Sequence, residues 1–232
     1  MSIAENIAKI KAEMADAAIQ AGRDPKDILL CAATKMNDAD AVREAIAAGV
    51  DCCGENRVQE LVQKQPLGAY EGKPVHFIGH LQTNKVKQVV GKVDLIQSVD
   101  RPELLECIEK QAEKLGIVQD ILLEINIGEE ESKSGFTLEN VETALSRMGE
   151  FSAIRVLGFM AIPPICQNSA GNHKFFQKMY NLSVDIMRKK YDNVCVNILS
   201  MGMSGDYADA IGCGSTMIRV GTAIFGARDY TK

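Results

Sequence analysis

Lys35 closes the apolar run of residues 28–34, Ile-Leu-Leu-Cys-Ala-Ala-Thr, and stands just before a helix start at Asn37 and Asp38. The spacing puts an amine on the last residue of a buried strand. A lysine so placed shifts its pKa readily, and its desolvated, neutral form makes Schiff bases with aldehydes. The same position also suits a lysine that only snorkels its ammonium to water. Arg219 is the second informative residue. It lies inside Met217-Ile218-Arg219-Val220, where a permanently charged guanidinium needs an acceptor. That acceptor could be a buried carboxylate, a ligand ring nitrogen or a phosphate.

Two loops combine glycine with hydroxyls: Leu199 to Asp206, with Ser200, Gly202, Ser204 and Gly205, and Arg219 to Gly226, with Gly221 and Thr222. Backbone N–H groups and hydroxyl donors arranged this way can approach a phosphate closely. Taken singly, each loop reads better as a tight turn; two of them, at the two places where a barrel binds phosphate, favour a phosphate ligand.

Other candidates carry less. His76 and His80 flank Phe77-Ile78-Gly79, so one of them is expected at an open mouth, while His173 begins a polar helix and is expected in solvent. Asp51, Glu55 and Asp94 read as loop and cap charges. Residues 129–135 read as a mobile, solvated loop whose Lys133 is a rival amine kept hydrated and protonated. Seven cysteines, at 31, 52, 53, 107, 166, 195 and 213, include no C-x-x-C pair. That spacing predicts core fillers in a reducing compartment and no metal site.

The elements that must position these residues alternate along the chain. Apolar runs at 28–34, 50–54, 75–78, 93–97, 119–127, 154–160, 194–199 and 216–220 read as eight strands. Helical segments are expected at 38–48, 56–64, 83–90, 101–115, 137–148, 173–190 and near 206–211. Gly49, Gly116 and Gly149 are expected to close helices in left-handed conformations, and Asp100 with Glu103 to form a capping box. Residues 1–22 read as an amphipathic helix, and 166–172 as a loop. Continuous rather than alternating apolar strands indicate a parallel sheet covered on both faces. The expected architecture is α/β: a single (β/α)8 TIM barrel over residues 1–232 with an extra N-terminal helix. An open doubly wound sheet is the alternative. In a barrel, Lys35 and both glycine loops fall at the carboxyl ends of strands, where barrel sites lie.

Composition narrows the function classes. The 232 residues are 46% hydrophobic and 25% charged with net charge -5, which argues against a nucleic-acid binder or a protein held to membranes by charge. The first 22 residues lack the uninterrupted apolar core of a signal peptide, and a cytoplasmic protein is expected.

Several motifs occur together and in order: Ala32-Ala33-Thr34-Lys35; Gly54-Glu55-Asn56-Arg57-Val58-Gln59-Glu60; His76 through Lys85; Ser132-Lys133-Ser134-Gly135; Gly158 through Pro164; Ser200 through Asp206; and Gly214-Ser215-Thr216 through Gly226. In these the chain resembles the pyridoxal phosphate (PLP) homeostasis protein family over about residues 28–226. The resemblance implies a fold-type III PLP barrel similar to the amino-terminal domain of alanine racemase, with PLP on Lys35 as an internal aldimine. It further implies phosphate binding by Ser200, Ser204, Gly221 and Thr222, Arg219 facing the pyridine nitrogen, and Asn56 and Met160 lining the ring. A cation at that nitrogen keeps it unprotonated and weakens PLP as an electron sink. Arg57 and Val75 depart from the family pattern, where aromatics are common, and bear on the pocket rim.

Three functions remain open on the residues. One is a non-catalytic PLP carrier that serves vitamin B6 and amino-acid balance, with PLP-requiring apoenzymes as recipients. The others are a PLP-dependent amino-acid racemase and a lysine aldolase without PLP. Racemisation needs an acid/base on each face of the cofactor, and in alanine racemases a partner's second domain brings the opposing tyrosine. No such domain is expected here, which favours the carrier and a monomer.

Overall fold

The structure, a computed structural model, describes residues 1–130, 132–164 and 169–226. Eight parallel strands close into a barrel in chain order. They are β1 (Leu29–Ala33), β2 (Cys52–Glu55), β3 (Val75–Phe77), β4 (Leu95–Val99), β5 (Gln119–Ile125), β6 (Ile154–Ala161), β7 (Val194–Ser200) and β8 (Met217–Val220). β8 closes the ring on β1, with Arg219 registered on Cys31. The open doubly wound alternative is thereby set aside.

The continuous apolar runs follow from burial on both faces. Leu30 and Ala32 join the large core beneath the helices, whereas Cys31 packs inside the barrel with Cys52 and Met217. Leu95, Leu122 and Met160 form a second interior cluster. Side chains thus fill the barrel as layers rather than leaving a pore. Two of the aspartates read from sequence as caps do cap strands: Asp51 Oδ2 accepts from Leu30 N at 2.8 Å and Asp94 Oδ2 from Val75 N at 2.7 Å.

The outer helices are α1 (Ile3–Gln20), α2 (Ala39–Ala47), α3 (Val58–Lys64), α4 (Pro102–Leu115), α5 (Val141–Ser146), α6 (His173–Lys189), α7 (Tyr207–Gly212) and α8 (Thr222–Phe225). α7 and α8 are too short to cover β7 and β8, and α1 packs against both. α1 starts with a capping box between Ser2 and Glu5. Its buried stripe is Ile7, Ile10, Met14 and Ala18, the spacing of one helical face. Asn6 Nδ2 ties it to Ile224 O at 2.8 Å. No helix among the described residues is long and apolar enough to cross a membrane.

Several local expectations fail for identifiable reasons. Residues 83–88 form a 3-10 turn instead of an α-helix. Pro102 takes the first position of α4, where its missing N–H costs nothing, so Arg101 becomes the N-cap without a side-chain bond. Asp100 is diverted to His80 and Arg101, and the expected capping box is absent. Gly49 and Gly116 do have positive φ, but Gly149 does not and lies in a 3-10 turn, Met148–Glu150. The loop expected at 166–172 lies in part outside the described residues.

Candidate functional site

The β1 ladder runs past Ala33 to Thr34, whose N–H donates to Gly54 O at 2.9 Å. Lys35 therefore lies two residues beyond the strand proper, in a turn, and is half-buried. Met36 takes a positive φ of 62°, a conformation that costs a non-glycine residue about 1–3 kcal/mol. Its N–H is held by Glu60 Oε2 at 2.6 Å, and Asn37 Nδ2 holds Lys35 O at 3.0 Å. Behind the turn is a buried polar network. Glu55, fully buried, accepts through Oε1 from Thr34 Oγ1 at 2.6 Å, Lys64 Nζ at 2.8 Å and Tyr70 OH at 2.9 Å. Lys64 Nζ also donates to Thr34 O at 2.9 Å and Glu60 Oε2 at 3.1 Å. Both residues flanking Lys35 are thus fixed by one ion-paired cluster. Glu55, expected as a loop charge, is its centre, and burial beside that carboxylate pushes the Tyr70 phenol up.

Arg219 is 4% exposed. Its guanidinium donates to Ser200 O at 2.8 Å, Ser200 Oγ at 2.6 Å and Ala161 O at 2.9 Å. Among the described residues it makes no ion pair, and burial pulls its pKa down. Its acceptors are neutral, so the charge is hydrogen-bonded without being cancelled. Ser200 Oγ in turn donates to Gln97 Oε1 at 2.7 Å. That hydroxyl is fully buried and engaged inside the barrel.

The two glycine loops meet at the start of α8. Ala223 N donates to Ser204 Oγ at 3.3 Å, which joins the loop after β7 to the loop after β8. Gly221 sits tight against β1: a Cβ there would meet Ala33 O at 3.3 Å. Gly221 and Thr222 remain solvent-accessible. Ser204, Gly221 and Thr222 share one patch, while Ser200 lies below it with its hydroxyl turned to Arg219.

A cavity of about 320 Å³ opens at the carboxyl ends of β2, β3, β5 and β6, lined among others by Asn56, His80, Glu124, Asn126 and Lys133. Asn56 Oδ1 is buried there with no hydrogen-bond partner among the described residues. Gly79 packs directly on Asn56, so close that a Cβ would come within 2.1 Å of Asn56 O. His80 is the histidine at the mouth, 3.1 Å from Asp100, whereas His76 is buried. Lys133 is held to Glu130 and donates to Pro163 O at 3.3 Å, so the loop expected to be freely solvated brings its amine to the cavity. Met160 is fully buried with Leu95 and Leu122, in register with Ser200. It forms part of the barrel interior beneath the mouth. His173, expected in solvent, is exposed at the start of α6 and approaches Cys213 Sγ at 3.4 Å.

A family model described as alanine racemase, N-terminal domain, matches residues 2–229. A curated relative from Aquifex aeolicus, named pyridoxal phosphate homeostasis protein, is 40% identical over 230 residues, covering 99% of this chain and 100% of its own. The chain belongs to the pyridoxal phosphate homeostasis protein family. The Escherichia coli (strain K12) member is 38% identical over 234 residues, covering 99% of this chain and 98% of its own. PipY of Synechococcus elongatus, solved with PLP bound, superposes with TM-score 0.84 at 30% identity, covering 97% of this chain and 100% of PipY.

Within this family frame, sequence reasoning missed Glu124. Burial raises its carboxyl to about 7, Asp100 adds to the rise, and Arg219 opposes it. An acid placed inside the apolar run 119–127 was a legible signal. Gln97 was missed because its partners His76 and Ser200 lie on other strands, and Lys64 and Tyr70 because Glu55, which they share, reads as a loop charge until the fold buries it.

Proposed function

We propose that this protein binds PLP at the barrel mouth, covalently through Lys35, and serves PLP and amino-acid homeostasis without catalytic turnover. PLP so held carries a masked aldehyde that is protected from stray amines. The reading rests on the sequence match to the PLP homeostasis proteins, on PipY solved with PLP, and on the geometry around Lys35. The observation that carries it is Arg219, a buried cation whose acceptors among the described residues are neutral, in the barrel under the mouth.

The residues present fit the group. Asn56 offers an unpartnered amide oxygen to the ligand, and Ser204, Gly221 and Thr222 offer a hydroxyl and backbone patch for a phosphate at the position barrels use for one. Ser200 orients Arg219, and Arg219 faces the ring nitrogen and keeps it from taking a proton. Met160 supports the ring from the interior. Thr34, Glu55 and Lys64 hold the turn that carries Lys35 at the carboxyl end of β1. Delivery to PLP-requiring apoenzymes by a monomer completes the proposal.

A racemase is the second reading, favoured by Glu124, whose raised pKa and place in the cavity wall suit an acid/base. One measurement tests the attachment that both readings share, and a second separates them. Lys35→Ala should remove the visible absorbance of bound PLP while the fold, read by far-UV circular dichroism, is retained. L-Alanine incubated in D2O with the PLP-loaded protein should keep its α-proton and its configuration; conversion to D-alanine that Glu124→Gln abolishes would establish the racemase instead.

A further inference from the structure

Below the mouth, the barrel interior brings together two thiols and an imidazole that the PLP reading leaves unused. Cys31 on β1 and Cys52 on β2 are register partners, and His76 follows on β3. One donor atom from each lies within 4.8 Å of the others, and the residues are 0%, 2% and 7% exposed. Met217 packs against both cysteines. We infer that Cys31, Cys52 and His76 form a binding site for one soft d10 metal cation, of the Zn²⁺ or Cu⁺ class, inside the barrel.

The donor set selects the ion. Thiolate and imidazole ligands favour soft or borderline cations over Mg²⁺ or Ca²⁺, and a set of two cysteines and one histidine is a known zinc arrangement. Coordination releases the Cys31 and Cys52 thiol protons to solvent. Two thiolates leave a Zn²⁺ complex neutral and a Cu⁺ complex singly negative. Either is compatible with Arg219, the register partner of Cys31, whose acceptors are all neutral. The Met217 thioether packs beside the cluster and accepts from Gln97 Nε2 at 3.1 Å.

The imidazole is already oriented by a partner. Gln97 Nε2 meets His76 Nδ1 at 2.9 Å, which leaves Nε2 of the ring for an ion. A metal-bound imidazole carries its proton on Nδ1, so binding requires the Gln97 amide to reverse and accept that proton through Oε1. Ser200 Oγ, now donating to Oε1, can accept from the reversed amide because a hydroxyl does both. The metal site and the Arg219 site therefore share Gln97 and Ser200. The sequence spacing hid the cluster because each ligand comes from a different strand.

The test uses the purified full chain, with and without PLP, in a Cys195→Ser background that removes an exposed thiol. Zn²⁺ alone and, under anaerobic reduction, Cu⁺ alone are titrated and bound metal is counted by elemental analysis. One equivalent of either ion is expected, lost in Cys31→Ser and Cys52→Ser and bound roughly 10–100-fold more weakly in Gln97→Leu. No bound equivalent of either ion, or uptake unchanged in both cysteine variants, would overturn the proposal. Should those variants misfold, X-ray absorption of the zinc-loaded parent decides. Two sulfur ligands at about 2.3 Å and a nitrogen at about 2.0 Å support the site, whereas a shell without sulfur overturns it. None of these readouts depends on whether PLP is attached to Lys35.

Discussion

Replacing Lys64 by methionine tests whether the buried network positions Lys35. The substitution keeps the apolar stem but removes three hydrogen bonds from Nζ: to Glu55 Oε1, Glu60 Oε2 and Thr34 O. Glu55, fully buried, then keeps only Thr34 and Tyr70 as donors. Removing one partner of a buried ion pair typically costs about 3–5 kcal/mol, because the other charge stays buried and uncompensated. For a chain of this length that is a fall in Tm of roughly 10 °C. Removing both charges in Glu55→Gln/Lys64→Met should recover most of the loss, since a neutral amide can stay bonded to Thr34 and Tyr70. Urea unfolding of the wild type, both single variants and the double variant closes the cycle, and PLP titration of each reads the Lys35 turn. Weaker PLP binding should accompany Lys64→Met, because Thr34 O and Glu60 lose the contact that braces both sides of Lys35. A cost below about 1 kcal/mol, or losses that simply add in the double variant, would refute the reasoning.

Three further outcomes follow from other parts of the site. Gly79→Ala forces its new methyl against Asn56 O; PLP affinity should fall at least about tenfold, and unchanged fluorescence titrations would contradict that packing. Arg219→Gln leaves Ser200 O or Ala161 O without its donor, so stability should drop by about 1–3 kcal/mol in thermal unfolding. Glu124 binds its proton more tightly folded, at about 7, than at the ordinary 4.5. Its contribution is therefore full below the ordinary value and lost as pH rises to about 7, by at most about 3 kcal/mol. Glu124→Gln should flatten that slope in urea unfolding of the PLP-free protein, and an unaltered slope would count against the raised pKa.

The barrel was legible in the sequence because burial on both faces makes each parallel strand a short apolar run, and seven of the eight runs overlap their strands closely. β4 is the exception: it extends beyond the end of the run at Gln97 to Val99, through Ser98, a polar residue that looks like a loop until its Oγ is seen bonded to Gly79 O. Local chemistry also lost to its neighbours at α4, where Pro102 set the helix start and released Asp100 to His80. Lys35 and Arg219 were legible because a cation in an apolar run is conspicuous. Glu55 was misread because its partners Lys64 and Tyr70 follow 9 and 15 residues later, and the Cys31, Cys52 and His76 cluster because only strand register brings it together. The patch of Ser204, Gly221 and Thr222 proposed for a phosphate was legible as glycine and hydroxyl spacing, but not the inward turn of Ser200, which depends on Arg219 crossing from β8.

The central claim is that Lys35 is the residue that holds PLP. Borohydride reduction of the PLP-loaded protein, followed by peptide mapping, reads it directly. The account predicts one reduced pyridoxyl group per chain, on the peptide containing Lys35. A label on Lys133, the amine that lines the cavity, or no label at all, would contradict it.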